Sequence, residues 1–283
     1  MGLIGGSVAL ALKKEHALSI GVTHIVGVGR TEKSLNTALQ LGVIDQAETN
    51  IKAACCDADV ILIAAPVAQT KAILQSIKPH LNIKTVITDA GSTKGDILAS
   101  AREILREQFG QFVGGHPIAG AEKSGVAEAK NDLFFGKNVV LTPELETNRG
   151  ALASVTDFWR SCGANVSEMS AETHDSIFAA VSHLPHLLAF ALVDDIASRP
   201  NAEQLFSFAA SGFRDFTRIA GSHPEMWRDI SLANKSALLC ELNAFENELT
   251  QLKQLLTNED GAGLQALFER ASLARNNWAE SKK

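Results

Sequence analysis

The sequence predicts an α/β chain in two parts: a doubly wound parallel sheet with helices on both faces, then an all-helical region. Over about the first 170 residues, short apolar runs alternate with amphipathic stretches, as expected for strands buried on both faces and joined by crossover helices. From Ala171 onward the strand signal stops and only helical periodicity remains. With 283 residues, 46% of them apolar, the chain can bury two ordinary cores. The expected division is 1–170 and 171–283.

The chain opens on "MGLIGGSVALALKK", a glycine-rich turn running into a helix with no strand ahead of it. Such a turn is normally fed by a strand, so the motif predicts an apolar strand upstream of Met1. Strands are then expected at His24–Val28, Asp59–Ala65, Thr85–Asp89, Phe112–Gly115, Asn138–Thr142 and Asn165–Met169, with helices such as "KSLNTALQL" and "GDILASAREILREQF" between them. In the second part, "AETHDSIFAAVSHLPHLLAFALVDDIA" is helical in period, with a kink expected at Pro185. A long helix should start at Pro224, because proline suits the first helical turn. Along it Leu238, Leu242, Phe245, Leu249, Leu252 and Leu256 recur at intervals of 4, 3, 4, 3 and 4. That heptad seam suits either a core stripe or a subunit interface.

Composition excludes several classes. The formal net charge is −6 with scattered Lys and Arg, which argues against nucleic acid, since phosphate backbones demand a concentrated basic face. The apolar run Val60–Ala68 is far short of the ~20 residues that cross a bilayer, and no membrane partner is expected. Cys55, Cys56, Cys162 and Cys240 have no metal-ligand spacing; they read as reduced thiols of a cytoplasmic protein, with no metal site. The chain has no Tyr, which excludes dehydrogenases whose proton donor is a Tyr paired with Lys.

Gly2 and Gly5 keep the GxxG half of a dinucleotide-binding turn. Peptide N–H groups of Gly2, Leu3, Ile4 and Gly5 at the helix start would hold a pyrophosphate, which makes the first part Rossmann-type. An acidic residue that grips the adenine ribose in NAD enzymes is expected about 20 residues on. Gly29 stands there, 24 residues after Gly5, with Arg30 and Thr31 next in the chain. Guanidinium and hydroxyl would bind a 2′-phosphate, so NADP is favoured and NAD remains possible; alternatively Arg30 is a surface charge. Ala65 and Pro66, at the carboxyl end of a strand, are further cofactor candidates. His116 and Ser92 come after two later strands in "GGHPIAGAEKSG" and "DAGSTKG", where open sheets bind ligands.

Together "GLIGGSVALALK", "DAGSTKG", "GGHPIAGAEKSG", "VSHLPHLLAFAL" and "GFRDFTRIAGSHPEMWRDI" resemble the prephenate/arogenate dehydrogenase family, in the same order and over nearly the whole chain. The resemblance implies oxidative decarboxylation of prephenate, arogenate or both on the way to tyrosine, with hydride passed to NAD(P), in a homodimer joined through the C-terminal helices. It implies that His116 accepts the proton of the substrate 4-hydroxyl, so activity should fall as pH drops through the His116 pKa (ordinarily ~6.5). Ser92 would bridge substrate, His116 and cofactor, or else cap a turn. Arg218 would clamp a substrate carboxylate or else form a surface salt bridge, and Arg214 would add positive potential or pair with Asp215 or nearby Glu residues. Ser182, His183 and His186 would line the pocket, the two histidines being otherwise core groups. Glu122 would flank the pocket or sit in solvent. Trp227 would close the pocket or simply pack in the core. Ala121 departs from the hydroxyl residue common in the family. Two other readings stand behind this one: a β-hydroxyacid dehydrogenase, disfavoured because the early helical region offers histidines and no Lys, and an inactive dimerisation or binding module.

Overall fold

A computed structural model describes residues 1–13, 21–29, 31–120, 123 and 125–281. Contacts divide it into two units, Met1–Lys235 and Ser236–Lys283.

The larger unit opens with α1 (Leu3–Leu12), then β1 (Val26–Val28), α2 (Glu32–Gln40), β2 (Gln46–Glu48), α3 (Ile51–Cys55), β3 (Val60–Ile63), α4 (Thr70–Ile77), β4 (Val86–Asp89), α5 (Gly95–Leu105) and β5 (Phe112–Pro117). It continues through β6 (Asn138–Thr142), α6 (Arg149–Ser161) and β7 (Asn165–Glu168). The strands form two sheets, β1-β2 and β3-β4-β5-β6-β7. β1 and β3 are the strands that, in a doubly wound sheet, flank the strand feeding the glycine turn; here they are not paired with each other. β2 was not expected from the sequence, because "QAE" is short, polar and at a sheet edge.

Pairing is parallel, as expected, except between β5 and β6, which are antiparallel. The connection from Ile118 to Lys137 carries only a short 3₁₀ turn among its described residues. A parallel return needs a crossover, normally a helix, so β6 comes back antiparallel. Phe112, Val113, Val139, Leu141 and Ile87 are essentially inaccessible, as are Phe134 and Trp159, whose rings pack edge to face with centroids 5.4 Å apart. β5 is buried along its whole length, which makes it a rigid base for His116.

The remaining helices of this unit are α7 (Ala171–Phe178), α8 (Leu184–Ala197), α9 (Ala202–Ser207), α10 (Ser211–Thr217) and α11 (Pro224–Ala233). α7 and α8 run on through a π-helical turn at Ala179–His183, where the Leu184 N–H reaches back to Ala179 O. Pro185 cannot donate to the carbonyl four residues earlier, and the wider turn absorbs that defect at the position where a kink was expected. π-turns of this kind recur at functional sites. By length and composition alone Ala171–Ala197 could cross a membrane, a property not expected from the sequence. Its buried face carries His174, Ala179, His183, Leu184 and Ala189.

The helix expected from Pro224 is two helices. α11 ends at Asn234, whose backbone leaves the helical region at φ −101°, ψ 30°, and α12 (Lys235–Thr257) comes next. In the smaller unit, α12 and α13 (Gly261–Glu280) are joined by a turn in which Asp260 caps α13 through Gly263 N–H. Leu249 and Leu256 of the seam are exposed, as are Phe268, Leu273 and Trp278 of α13.

Candidate active site

α5 begins beneath the loop that leaves β4, and this junction organises the site. Asp89, the last residue of β4, is buried and accepts hydrogen bonds from Gly91 N–H (2.7 Å) and Gly115 N–H (3.0 Å). Lys94, also fully buried, ion-pairs with Asp89 and donates to Gly115 O at 2.8 Å. The residue before His116 is therefore held on both its N–H and its carbonyl. Gly115 has no room for a side chain: a Cβ would stand 2.8 Å from Asp89 O.

His116 lies near the carboxyl end of β5, opposite Val140, with only 9% of its surface accessible. Its Nδ1 lies 2.8 Å from His174 Nε2, and His174 Nδ1 lies 2.8 Å from Asp175 Oδ1. Asp175 also accepts from Lys94 N–H and Gly95 N–H, at 2.8 Å each. The Phe178 ring packs on both imidazoles, with centroids 4.7 Å and 4.5 Å away. Burial, reinforced by His174, Lys94 and His183, holds the His116 imidazole well below its ordinary range. Burial also lowers His174, against the opposing pull of Asp175. For Asp175 burial acts upward, but hydrogen bonds from His174, Gly95 and Lys94 outweigh it and keep the carboxyl below its usual range.

The π-turn presents the next group. His183 is buried, its Nδ1 3.1 Å from the Asn234 amide nitrogen, which also donates to Asp175 O at 2.7 Å. That leaves His183 Nε2 buried with no partner among the described residues. Burial above all pushes this imidazole down to about 4. His186, one turn on, donates from Nδ1 to Ser182 O at 2.9 Å and stacks on Trp227, centroids 3.6 Å apart and rings 20° from parallel. Burial lowers His186, against the opposing hydrogen bond to Ser182 O, and the Arg218 cation adds a smaller lowering. Ser182 is half-buried and Trp227 buried; Ser92 is half-buried in the β4–α5 loop. Arg214 is exposed on α10, the helix that packs against α8 and the turn carrying Arg218. Glu122 and Ala121 lie outside the described residues.

On the cofactor side, Gly2 precedes α1 in extended backbone and a Cβ there would meet nothing within 4 Å. The first backbone donor paired in the helix is Gly6 N–H, to Gly2 O, leaving the N–H groups of Leu3, Ile4 and Gly5 for a ligand. A Cβ on Gly5 would touch Ala64 at 3.4 Å, and one on Gly6 would stand 2.9 Å from Ala129 Cβ, so Gly6 permits close helix packing. The turn fits a pyrophosphate. Ala65 and Pro66 lie just past β3, half-buried and exposed respectively. Gly29 ends the β1 strand region, where a Cβ would collide with Met1 N at 2.8 Å. Thr31 caps α2 by accepting from Ser34 N–H. Arg30 lies outside the described residues.

His174, Asp175, Asn234 and the Asp89–Lys94 pair are members of the site that the sequence did not point to. "THDS" offers a His–Asp neighbour pair in a helical stretch, and Asp89 and Lys94 bracket the "DAGSTK" loop, but only the fold turns them toward His116.

Residues 8–168 match the family model described as prephenate dehydrogenase, nucleotide-binding domain, and residues 170–270 match prephenate dehydrogenase, dimerization domain. The chain is 39% identical to a prephenate dehydrogenase of Bacillus subtilis over 96% of its own length and 72% of that protein. It is 32% identical to a cyclohexadienyl dehydrogenase of Zymomonas mobilis, covering 97% and 92%. Among solved structures it is similar to prephenate dehydrogenase from A. aeolicus in complex with hydroxyphenyl propionate and NAD+, with a TM-score of 0.89, 38% identity and coverage of 97% and 94%. A glycine turn built for a dinucleotide, a buried histidine over the neighbouring strand ends and matches across both parts lead to one assignment: the chain belongs to the prephenate dehydrogenase family.

Proposed function

We propose that this enzyme carries out the oxidative decarboxylation of prephenate, arogenate or both, in tyrosine biosynthesis, with His116 as the proton acceptor. The observation that carries the role of His116 is its burial beside His174, which keeps the imidazole neutral and so able to take a proton at neutral pH. When bound, the nicotinamide supplies the hydride acceptor. Leu3, Ile4 and Gly5 hold the pyrophosphate through their N–H groups, with Gly2 giving clearance. His116 takes the 4-hydroxyl proton while the ring carboxylate leaves as CO2 and aromatisation drives the step. Arg218 grips a substrate carboxylate; His183 Nε2–H, buried and unpartnered among the described residues, and the His186–Trp227 stack line the pocket with Ser182 and Ser92.

NADP is favoured over NAD: Gly29 supplies no carboxylate to repel a 2′-phosphate, and Arg30 and Thr31 supply a cation and a hydroxyl. The similar A. aeolicus structure contains NAD+, so use of both is expected, with the larger kcat/KM for NADP. A homodimer forms through the second part of the chain, as the exposed Leu249, Leu256, Phe268 and Leu273 suggest and as the matched dimerization model supports. A cytoplasmic setting accords with four unpaired cysteines. The test is CO2 release and nicotinamide reduction with prephenate and arogenate against each cofactor. Turnover of neither substrate would overturn the reading, and a clear preference for NAD would overturn the cofactor assignment alone.

A further inference from the structure

Resting on the reading of His116 as proton acceptor, we propose that Asp175 and His174 are positioning residues that set its tautomer. Through two consecutive hydrogen bonds, the Asp175 carboxylate holds His116 with its proton on Nδ1 and its lone pair on Nε2.

The chain of donors runs one way. An ionised carboxylate only accepts, so the 2.8 Å contact between Asp175 Oδ1 and His174 Nδ1 places the His174 proton on Nδ1. A neutral imidazole then has an acceptor at Nε2, and the 2.8 Å contact to His116 Nδ1 must be donated by His116. That leaves His116 Nε2 bare, and no described residue hydrogen-bonds to it. The other tautomer would present an N–H to the substrate hydroxyl and could not take its proton. The hydrogen bond made by one ring nitrogen commonly decides the state of the other in a working histidine.

Asp175 is itself pinned. Its two oxygens accept from the N–H groups of Lys94 and Gly95, at 2.8 Å each, while the side chain of His174 is wholly inaccessible. Charged and titratable groups reach His116 from three directions. The β4–α5 loop brings Lys94, already paired with Asp89; α7 brings His174 and Asp175; the π-turn brings His183. Of these, only the Asp175–His174 pair connects to the imidazole by hydrogen bonds. When His116 takes a proton on Nε2, the resulting imidazolium keeps its Nδ1–H bond to His174, with the Asp175 carboxylate behind it.

The decisive measurement is a long-range ¹H–¹⁵N correlation spectrum of ¹⁵N-histidine-labelled protein, in which the two ring nitrogens of each tautomer differ. The His116 signals are assigned by their absence from His116→Asn. The wild type should show His116 protonated on Nδ1; protonation on Nε2 would overturn the proposal while leaving His116 open as a site residue. Asp175→Leu, which leaves His174 Nδ1 with no acceptor, should shift the His116 proton toward Nε2. It should lower kcat on the order of 10²-fold and change KM by less than about threefold. An unchanged tautomer and kcat would overturn the proposal. His174→Gln, which keeps an acceptor for His116, should retain about tenfold more kcat than His174→Leu; equal loss in both would mean that His174 acts by packing alone. Should Asp175→Leu fail to fold, the wild-type spectrum and the His174 pair still decide. Loss of the function reading looks different: turnover would survive in His116→Asn whatever the tautomer.

Discussion

Around Gly2–Gly5 the candidate site is made of backbone, while around His116 it is made of side chains. The first region offers N–H groups at a helix start, with clearance where a Cβ would stand. The second is a buried network in which His116, His174, Asp175, Lys94 and Asp89 each depend on a neighbour. A backbone cradle needs only glycine spacing and a helix start, so it tolerates change at its margins. A buried polar network is costly when any member loses its partner. Chemistry belongs in the second kind of region, because a desolvated imidazole stays neutral there.

The largest effect expected from breaking the network is on turnover. His116→Asn should lower kcat by about 10²- to 10⁴-fold with cofactor affinity unchanged, read by steady-state kinetics and dinucleotide titration. An equal collapse of cofactor affinity would make His116 a scaffold residue instead. On the proposed mechanism the neutral His116 imidazole is the active form, and burial lowers its pKa. Activity should therefore persist as pH falls past about 6.5 and decline only in more acidic solution; a kcat/KM profile that halves near 6.5 would contradict this.

Next in size is stability. Lys94→Met strips the partner from a fully buried carboxylate, which should cost about 3–5 kcal/mol and be seen as a lower urea midpoint. A midpoint unchanged from wild type would mean that the Gly91 and Gly115 N–H groups suffice for Asp89. At the exposed edge, Arg218→Gln should raise KM for the substrate about tenfold or more with kcat less affected; an unchanged KM would remove Arg218 from the pocket. The smallest effect belongs to the cofactor side. Thr31→Ala loses the α2 cap, about 1 kcal/mol, and should lower kcat/KM for NADP more than for NAD. An equal loss for the two cofactors would leave Thr31 as a cap only.

Much of the strand framework was legible in the chain alone. β3, β4, β5, β6 and β7 fall where apolar runs predicted strands, because strands buried on both faces cannot hide their composition. β2 escaped because three edge residues bury almost nothing, and the break at Asn234 escaped because its leucine period continues on either side. His116 and Ser92 were legible as candidates, because loops at strand ends bind ligands. His174 and Asp175 were not, since nothing local distinguishes them from any His–Asp pair on a helix.

By itself the sequence determined the alternation of strands and helices, the glycine turn and the family. These depend on local spacing and side-chain type, and so survive in one dimension. Only the tertiary structure decided which way β6 runs, that a π-turn seats His183 inside, and that His174 and Asp175 stand behind His116. Those outcomes depend on groups 58 residues apart meeting at hydrogen-bond distance, and such meetings are set by packing that no short stretch of chain encodes.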